Sequence, residues 1–226
     1  MFDPTDLTAF AITVKLALVS TAALLILGIP LAWWLSQSRS ALKTVIEALV
    51  ALPLVLPPTV LGFYLLLLLG SGGAIGGILQ RLGGEPLAFT FSGLVVGSVL
   101  YSLPFVVQPL QDGFAAIGQR PLEVASTLGA SPVDRFFSVA LPMARGNLIT
   151  AAVLGFAHTL GEFGVVLMIG GSIPGETQVL SIAIYDHVEA LEYGRAHLLA
   201  ASLLIVSFVL LLAVYATHRK IRLVRT

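Results

Sequence analysis

Two ionisable side chains stand in the otherwise apolar stretch "LGFAHTLGEFG": His158 and Glu162. At spacing i and i+4 they share one face if the segment is a continuous helix. Ionisable groups inside an apolar helix are costly, so each calls for a role. Metal hydrolysis is one chemistry for such a pair, but it wants the order His-Glu-x-x-His. The stretch reads His-Thr-Leu-Gly-Glu, and no metal site is expected. A proton relay is a second chemistry, and it would make the chain a proton-coupled secondary transporter. A third reading is structural. The carboxylate bonds His158 or nearby backbone and fixes the packing or lines an aqueous cavity, while Gly155, Ala157, Gly161 and Gly164 let helices approach closely or kink. We adopt the third reading and keep His158, Gly161 and Glu162 as candidates for lining a pathway or gate. An intramembrane protease is set aside, because no Asp lies inside a span to pair with another.

These residues need a scaffold, and composition says which. The 226 residues are 57% hydrophobic and 11% charged, against about 45–50% and about 25% in soluble domains. That is too little charge for a surface in water. The chain reads as an all-α integral membrane protein, one transmembrane domain over residues 1–226. A crossing helix needs ~20 apolar residues. The segments 8–36, 45–70, 89–117, 143–170 and 196–217 qualify. The start, "MFDPTD", is acidic, and the run from Leu7 to Leu35 exceeds the about 7–15 residues of a signal peptide. It is read as the first span. Spans and short loops leave no room for a soluble catalytic domain, so no enzyme is expected. The absence of cysteine excludes disulfides and thiolate metal sites.

The second span carries Pro53, Pro57 and Pro58, followed by Thr59. Each proline removes a donor and clashes with the preceding turn. The carbonyls so freed need partners in the protein or in a wet cavity, because lipid offers none. These four residues are candidates for a gate. The stretch 70–86 is a glycine-rich connector with a short amphipathic piece, and no Gly-Lys-Ser/Thr marks it as a phosphate loop. In 177–192, Leu180, Ile184, Val188 and Leu191 recur at helical spacing against Asp186, His187, Glu189 and Glu192. That is an amphipathic helix at an interface. Gln108, Gln111, Glu47 and Asp112 are read as lumen-facing or headgroup-level groups.

Lys and Arg set the orientation. With the C-terminus inside, the inner face holds Arg39, Lys43, Arg120, Arg135, Arg145, Arg219, Lys220, Arg222 and Arg225. The outer face holds only Arg81 and Arg195, with Lys15 snorkelling from the first span. Trp33, Trp34 and Tyr215 fall at inner ends of spans, as an aromatic belt would. The N-terminus is expected outside, and residues 119–142 inside.

That inner stretch, "EVASTLGASPVDRFFSVALP" from Glu123 to Pro142, is polar where the rest is oil. Pro121 suits the first turn of a helix, and Glu123 sits at its positive end. Gly129 suits a left-handed stop. Ser131 then reads as a new N-cap with Pro132 behind it and Asp134 completing a capping box. Two short helices joined by a glycine turn result. Phe136 beside Arg135 is the expected anchor for a groove on a partner.

The pattern resembles the EAA loop of ABC importer permeases, E-A-A-x3-G-x9-I-x-L-P. It stands here as Glu123, Val124, Ala125, Gly129, Val139, Ala140, Leu141 and Pro142 at the same spacing, with valine at the second and ninth-spaced positions. The stretches "LPLVLPPTVLGFYLL" and "LGEFGVVLMIGGSIPGETQVLSIAIYDHVE" are similar to those of molybdate/tungstate permeases, and "LGEFG" also to sulfate/thiosulfate permeases. The resemblance implies a type I importer subunit in a bacterial or archaeal cytoplasmic membrane. It also implies a second copy of the chain, two ATPase subunits holding ATP and Mg, and a periplasmic oxyanion-binding protein. Contacts to the ATPase would come from Glu123, Ala125, Gly129, Ala130, Ser131, Asp134, Arg135, Phe136, Leu141 and Pro142. No cofactor on this chain and no nucleic-acid partner are expected. Molybdate is the expected cargo, with tungstate or sulfate as alternatives.

Overall fold

The computed structural model describes residues 3–223, and side chains through residue 212. Its first helix, α1 (Pro4–Gln37), starts on a full capping box: Asp3 accepts from Thr5 N, and Asp6 from Asp3 N. With 34 residues it is about 51 Å long, well beyond the ~30 Å hydrocarbon layer. There follow α2 (Leu42–Ala51), a 3-10 turn (Leu52–Leu54), α3 (Pro58–Leu69), α4 (Ala74–Arg81) and α5 (Phe91–Ile117). Next come α6 (Arg120–Thr127), α7 (Pro132–Arg135), a π-turn (Phe136–Ala140) and α8 (Leu141–Met143). The chain ends with α9 (Arg145–Leu160), α10 (Gly164–Gly170), α11 (Leu180–Glu189) and α12 (Tyr193–Leu223). No strand occurs among the described residues.

Helices α1, Pro58–Arg81, α5 and the stretch 193–212 are each long and apolar enough to cross a membrane. A fifth crossing arises if Pro132–Met143 and Arg145–Leu160, bent by 74°, form one broken span. Two expected spans are not continuous helices. The second, 45–70, divides into α2, the 3-10 turn and α3, because Pro57 and Pro58 cannot continue a helix and Pro58 restarts one at N1. The fourth, 143–170, breaks at residues 161–163.

The centre is α1, α5 and α9, packed through Leu24, Leu35, Val106, Leu110, Phe114 and Ala151. Helices α3 and α10 close one flank. A Cβ on Gly62 would lie 2.7 Å from Met168 Cβ and 3.2 Å from Val165 Cα, so the two helices meet backbone to backbone there. The bundle has two polar ends. At one, Gln119 bonds Gln37 (3.0 Å) and Gln111 bonds Glu47 (2.6 Å), which also pairs with Lys43. The other gathers the start of α1, α11 and the start of α12 through His187–Asp6 (3.1 Å) and Arg195–Asp3 (3.5 Å). Lys15 does not simply snorkel: its ammonium stands 4.5 Å from the Phe91 ring centroid, a cation–π contact. Tyr215, Arg219, Lys220, Arg222 and Arg225 lie outside the described side chains.

Candidate functional site

The polar stretch folds as its caps dictate. Pro121 opens α6, and Glu123 lies in its first turn. Gly129 takes φ +87°, a left-handed conformation that a side chain adopts only with strain. It lets Ala130 N reach Ala125 O (3.0 Å) and close the helix end. Ser131 Oγ then accepts from Asp134 N (3.1 Å) and starts α7. The capping box is only half formed, because the Asp134 carboxylate accepts from Ser138 Oγ (2.7 Å) instead. From Pro132 to Met143 the helix runs at 74° to α9, so the insert lies across the end of the bundle.

Phe136 is not the outward anchor expected. Its ring packs on Trp33 (5.3 Å) and Phe114 (6.0 Å), so it welds the insert to α1 and α5. Trp33 is accordingly part of this core, whereas Trp34 is 39% exposed. The π-turn begins at Phe136. A π-turn closes on i+5 rather than i+4, so the extra residue rotates the faces that follow. Phe137, 60% exposed, points outward with Val124, Leu128 and Val133. Around this apolar patch, Glu123, Gly129, Ser131, Asp134 and Pro142 are exposed. Ala125, Ala130, Arg135 and Leu141 are partly buried. The Arg135 Nε is buried without a hydrogen-bond partner.

The intramembrane candidates lie elsewhere, and His158 and Glu162 do not pair. Helix α9 stops at Leu160, so the i, i+4 geometry fails. His158 Nδ1 bonds Ser102 Oγ (2.8 Å), which also meets Thr159 Oγ1 (3.1 Å). Its ring stacks on Phe105 at 4.0 Å. Glu162 is buried in the break, and neither carboxylate oxygen has a hydrogen-bond partner. The Ser98 hydroxyl on α5 is unpartnered too. The Glu162 backbone carbonyl accepts from Ser181 Oγ of α11 (2.6 Å). Gly161 is exposed. Pro53 is buried, Pro58 half-buried, and Pro57 and Thr59 exposed. Gln108 and Asp112 line a cavity of about 220 Å³ with Leu54, Phe105 and Leu154. No group of three or more metal-ligating side chains occurs among the described residues.

Three contacts had no signal in the sequence. Thr13 Oγ1 in α1 accepts from Leu180 N (2.7 Å) and so caps α11. Asn147 donates to Pro109 O (2.9 Å), tying α9 to α5 beside a helix-interior proline. His187 on α11 bonds Asp6 on α1 (3.1 Å). Each joins residues far apart in the chain, where spacing carries no information.

The chain is 61% identical over 214 residues to the molybdenum transport system permease protein ModB of Azotobacter vinelandii, covering 95% of both. It is 34% identical to the putative molybdenum transport system permease protein YvgM of Bacillus subtilis, over 90% of each. Against the sulfate transport system permease protein CysT of Salmonella typhimurium it is 32% identical, over 94% of this chain and 76% of that one. In fold it resembles a chain of a bacterial ABC transporter that imports alginate. That match has a TM-score of 0.80 at 18% identity, over 97% of this chain and 81% of the other. It also resembles a chain of the MetNI methionine ABC transporter, with a TM-score of 0.75 at 17% identity over 97% and 99%. The model of the binding-protein-dependent transport system inner membrane component matches residues 10–223, and this chain belongs to that family.

Proposed function

We propose that this chain is the permease subunit of an ATP-driven importer whose cargo is molybdate. The 61% identity over 95% of both chains to a molybdenum permease carries the choice of cargo. The sulfate permeases, at 32%, favour sulfate less. The proton-coupled reading loses its motive, because His158 bonds Ser102 and the Glu162 carboxylate has no hydrogen-bond partner.

The insert would dock on an ATPase subunit through Val124, Leu128, Val133 and Phe137, with ATP and Mg held by that partner. A second copy of this chain would complete the pore, and a periplasmic oxyanion-binding protein would deliver cargo at the end where α11 lies. This orientation agrees with Arg39, Lys43, Arg120, Arg135 and Arg145 gathering at the insert end, by the positive-inside rule. Closure of an ATPase dimer would push on the insert. Its 74° angle to α9 would turn that push into a tilt of α9 against α5.

A dianion loses much hydration energy in a medium of low dielectric constant. A pathway that compensated fully would hold it. Selection is therefore assigned to the binding protein, and a weak, hydrated route to this subunit. Reconstitution with the ATPase and the binding protein tests the reading. ATP-driven uptake of labelled molybdate should exceed that of sulfate. Uptake that ignores ATP, or that prefers sulfate, overturns it.

A further inference from the structure

Helix α11 is fastened at three points to parts of the chain remote in sequence. Thr13 of α1 caps its first turn at Leu180 N. Ser181 holds the Glu162 carbonyl in the break between α9 and α10. At its far end, His187 Nε2 lies 3.1 Å from Asp6 Oδ1 and Nδ1 lies 2.9 Å from Glu192 Oε2. The third fastening differs from the others in its chemistry. A neutral imidazole has one donor and one acceptor nitrogen, whereas imidazolium has two donors. A carboxylate faces each ring nitrogen, so only the charged form makes both bonds.

We propose that Asp6, His187 and Glu192 form a proton-operated latch that pins α11 to the start of α1 and, through Ser181, steadies the break at Glu162. The surroundings support a single responding group. From α1, Asp6 is buried and Asp3 is engaged by Arg195. From α11, Asp186 accepts from Ser172 and Gln178, and Glu189 accepts from Tyr185. From the α12 side, Arg195 also meets Glu192 at 3.7 Å; His197 is exposed on the same helix. The hydrogen bond that His187 donates to Asp6 raises the His187 pKa above its ordinary value, with Glu192 adding to it. A raised value in the folded state means that the latch contributes fully below about pH 6.5. Its contribution is lost as pH rises through the higher, folded value. Losing the proton leaves one of the two carboxylates, Asp6 or Glu192, facing a nitrogen that no longer donates. Beside Asp6, a cavity of about 230 Å³ between α1 and α12, lined by Leu7, Phe10, Leu199, Ser202 and Val206, gives the end of α1 room to shift.

The chain has no cysteine, so Val188→Cys gives one labelling site, exposed on α11. A nitroxide there, on the full chain in lipid nanodiscs, reports the mobility of α11. We expect a single immobile spectrum at about pH 6 and a growing mobile component towards about pH 9. His187→Gln should give the mobile component at both pH values. Asp6→Asn should remove the pH response even if the first variant assembles poorly. A wild-type spectrum independent of pH overturns the latch. So does a pH response that survives in either variant.

Discussion

The insert of residues 119–142 and the break at residues 161–163 both interrupt apolar helix, and they handle polarity in opposite ways. In the insert, the exposed helix starts and ends are satisfied locally. Ser131 caps α7, Gly129 closes α6, and Ser138 bonds Asp134. This leaves its apolar side chains, Leu128 and Phe137 above all, facing outward. In the break, the backbone is satisfied by a distant residue, Ser181, while the Glu162 carboxylate is buried and unpaired. A segment that is self-sufficient in hydrogen bonds can offer a rigid apolar face to another chain. A segment that depends on remote partners is held by the bundle and moves only with it.

The sharpest test of that contrast separates adjacent phenylalanines. Phe137→Asp should leave the fold intact and weaken capture of the ATPase by about 30-fold or more, as loss of an interface anchor worth ~2 kcal/mol or more would. Pull-down of the ATPase and the melting temperature of the permease are the two measurements. Phe136→Ala should do the reverse. It removes a half-buried ring from the Trp33–Phe114 cluster and should destabilise the chain by about 2 kcal/mol. If Phe137→Asp binds the ATPase normally, the outward patch is not a docking face.

A second test strikes the flank of the break. Gly62→Val places methyl groups against Met168 Cβ and the Val165 backbone, which cannot retreat without parting α3 from α10. Overpacking of this kind costs about 1–3 kcal/mol. It should lower the melting temperature and uptake together, with ATPase capture unchanged. At the insert, Ser131→Ala removes one cap and should cost ~1 kcal/mol locally. Amide exchange in 132–138 should rise while α9 stays protected.

The legible parts of the sequence were those governed by neighbours in the chain. Gly129, Ser131 and Pro132 state their roles within a turn or two, and the insert follows from them. The helix of 180–189 was readable from its spacing but its buried face was not: Ile182 and Ala183 are buried with Leu180, while Val188 and Leu191 are exposed. Facing was harder. Phe136 points inward onto Trp33 and Phe114, partners on α1 and α5 that no local rule announces. The His158–Glu162 pairing failed because α9 ends at Leu160. Gly161 and Gly164 flank the break; small residues there allow close packing or a kink, and the chain breaks. Contacts such as Thr13–Leu180 and Asp6–His187 belong to the tertiary fold alone.

The smallest expected effect concerns Glu162, and it decides what the break is for. The carboxylate is buried without a hydrogen-bond partner, while the backbone carbonyl accepts from Ser181 and the N–H donates to Thr159 O (3.3 Å). If the side chain fills space and the backbone holds the break, Glu162→Gln should keep ATP-driven uptake within about threefold of wild type. Glu162→Ala should instead lower the melting temperature by opening a cavity, at a cost of about 2 kcal/mol. Ser181→Ala should loosen the break with both oxygens of Glu162 left in place. A loss of uptake beyond about tenfold in Glu162→Gln, with stability unchanged, would assign the carboxylate a direct part in transport. The break would then resemble the insert in working through a side chain rather than through its backbone, and the contrast between the two regions would fall.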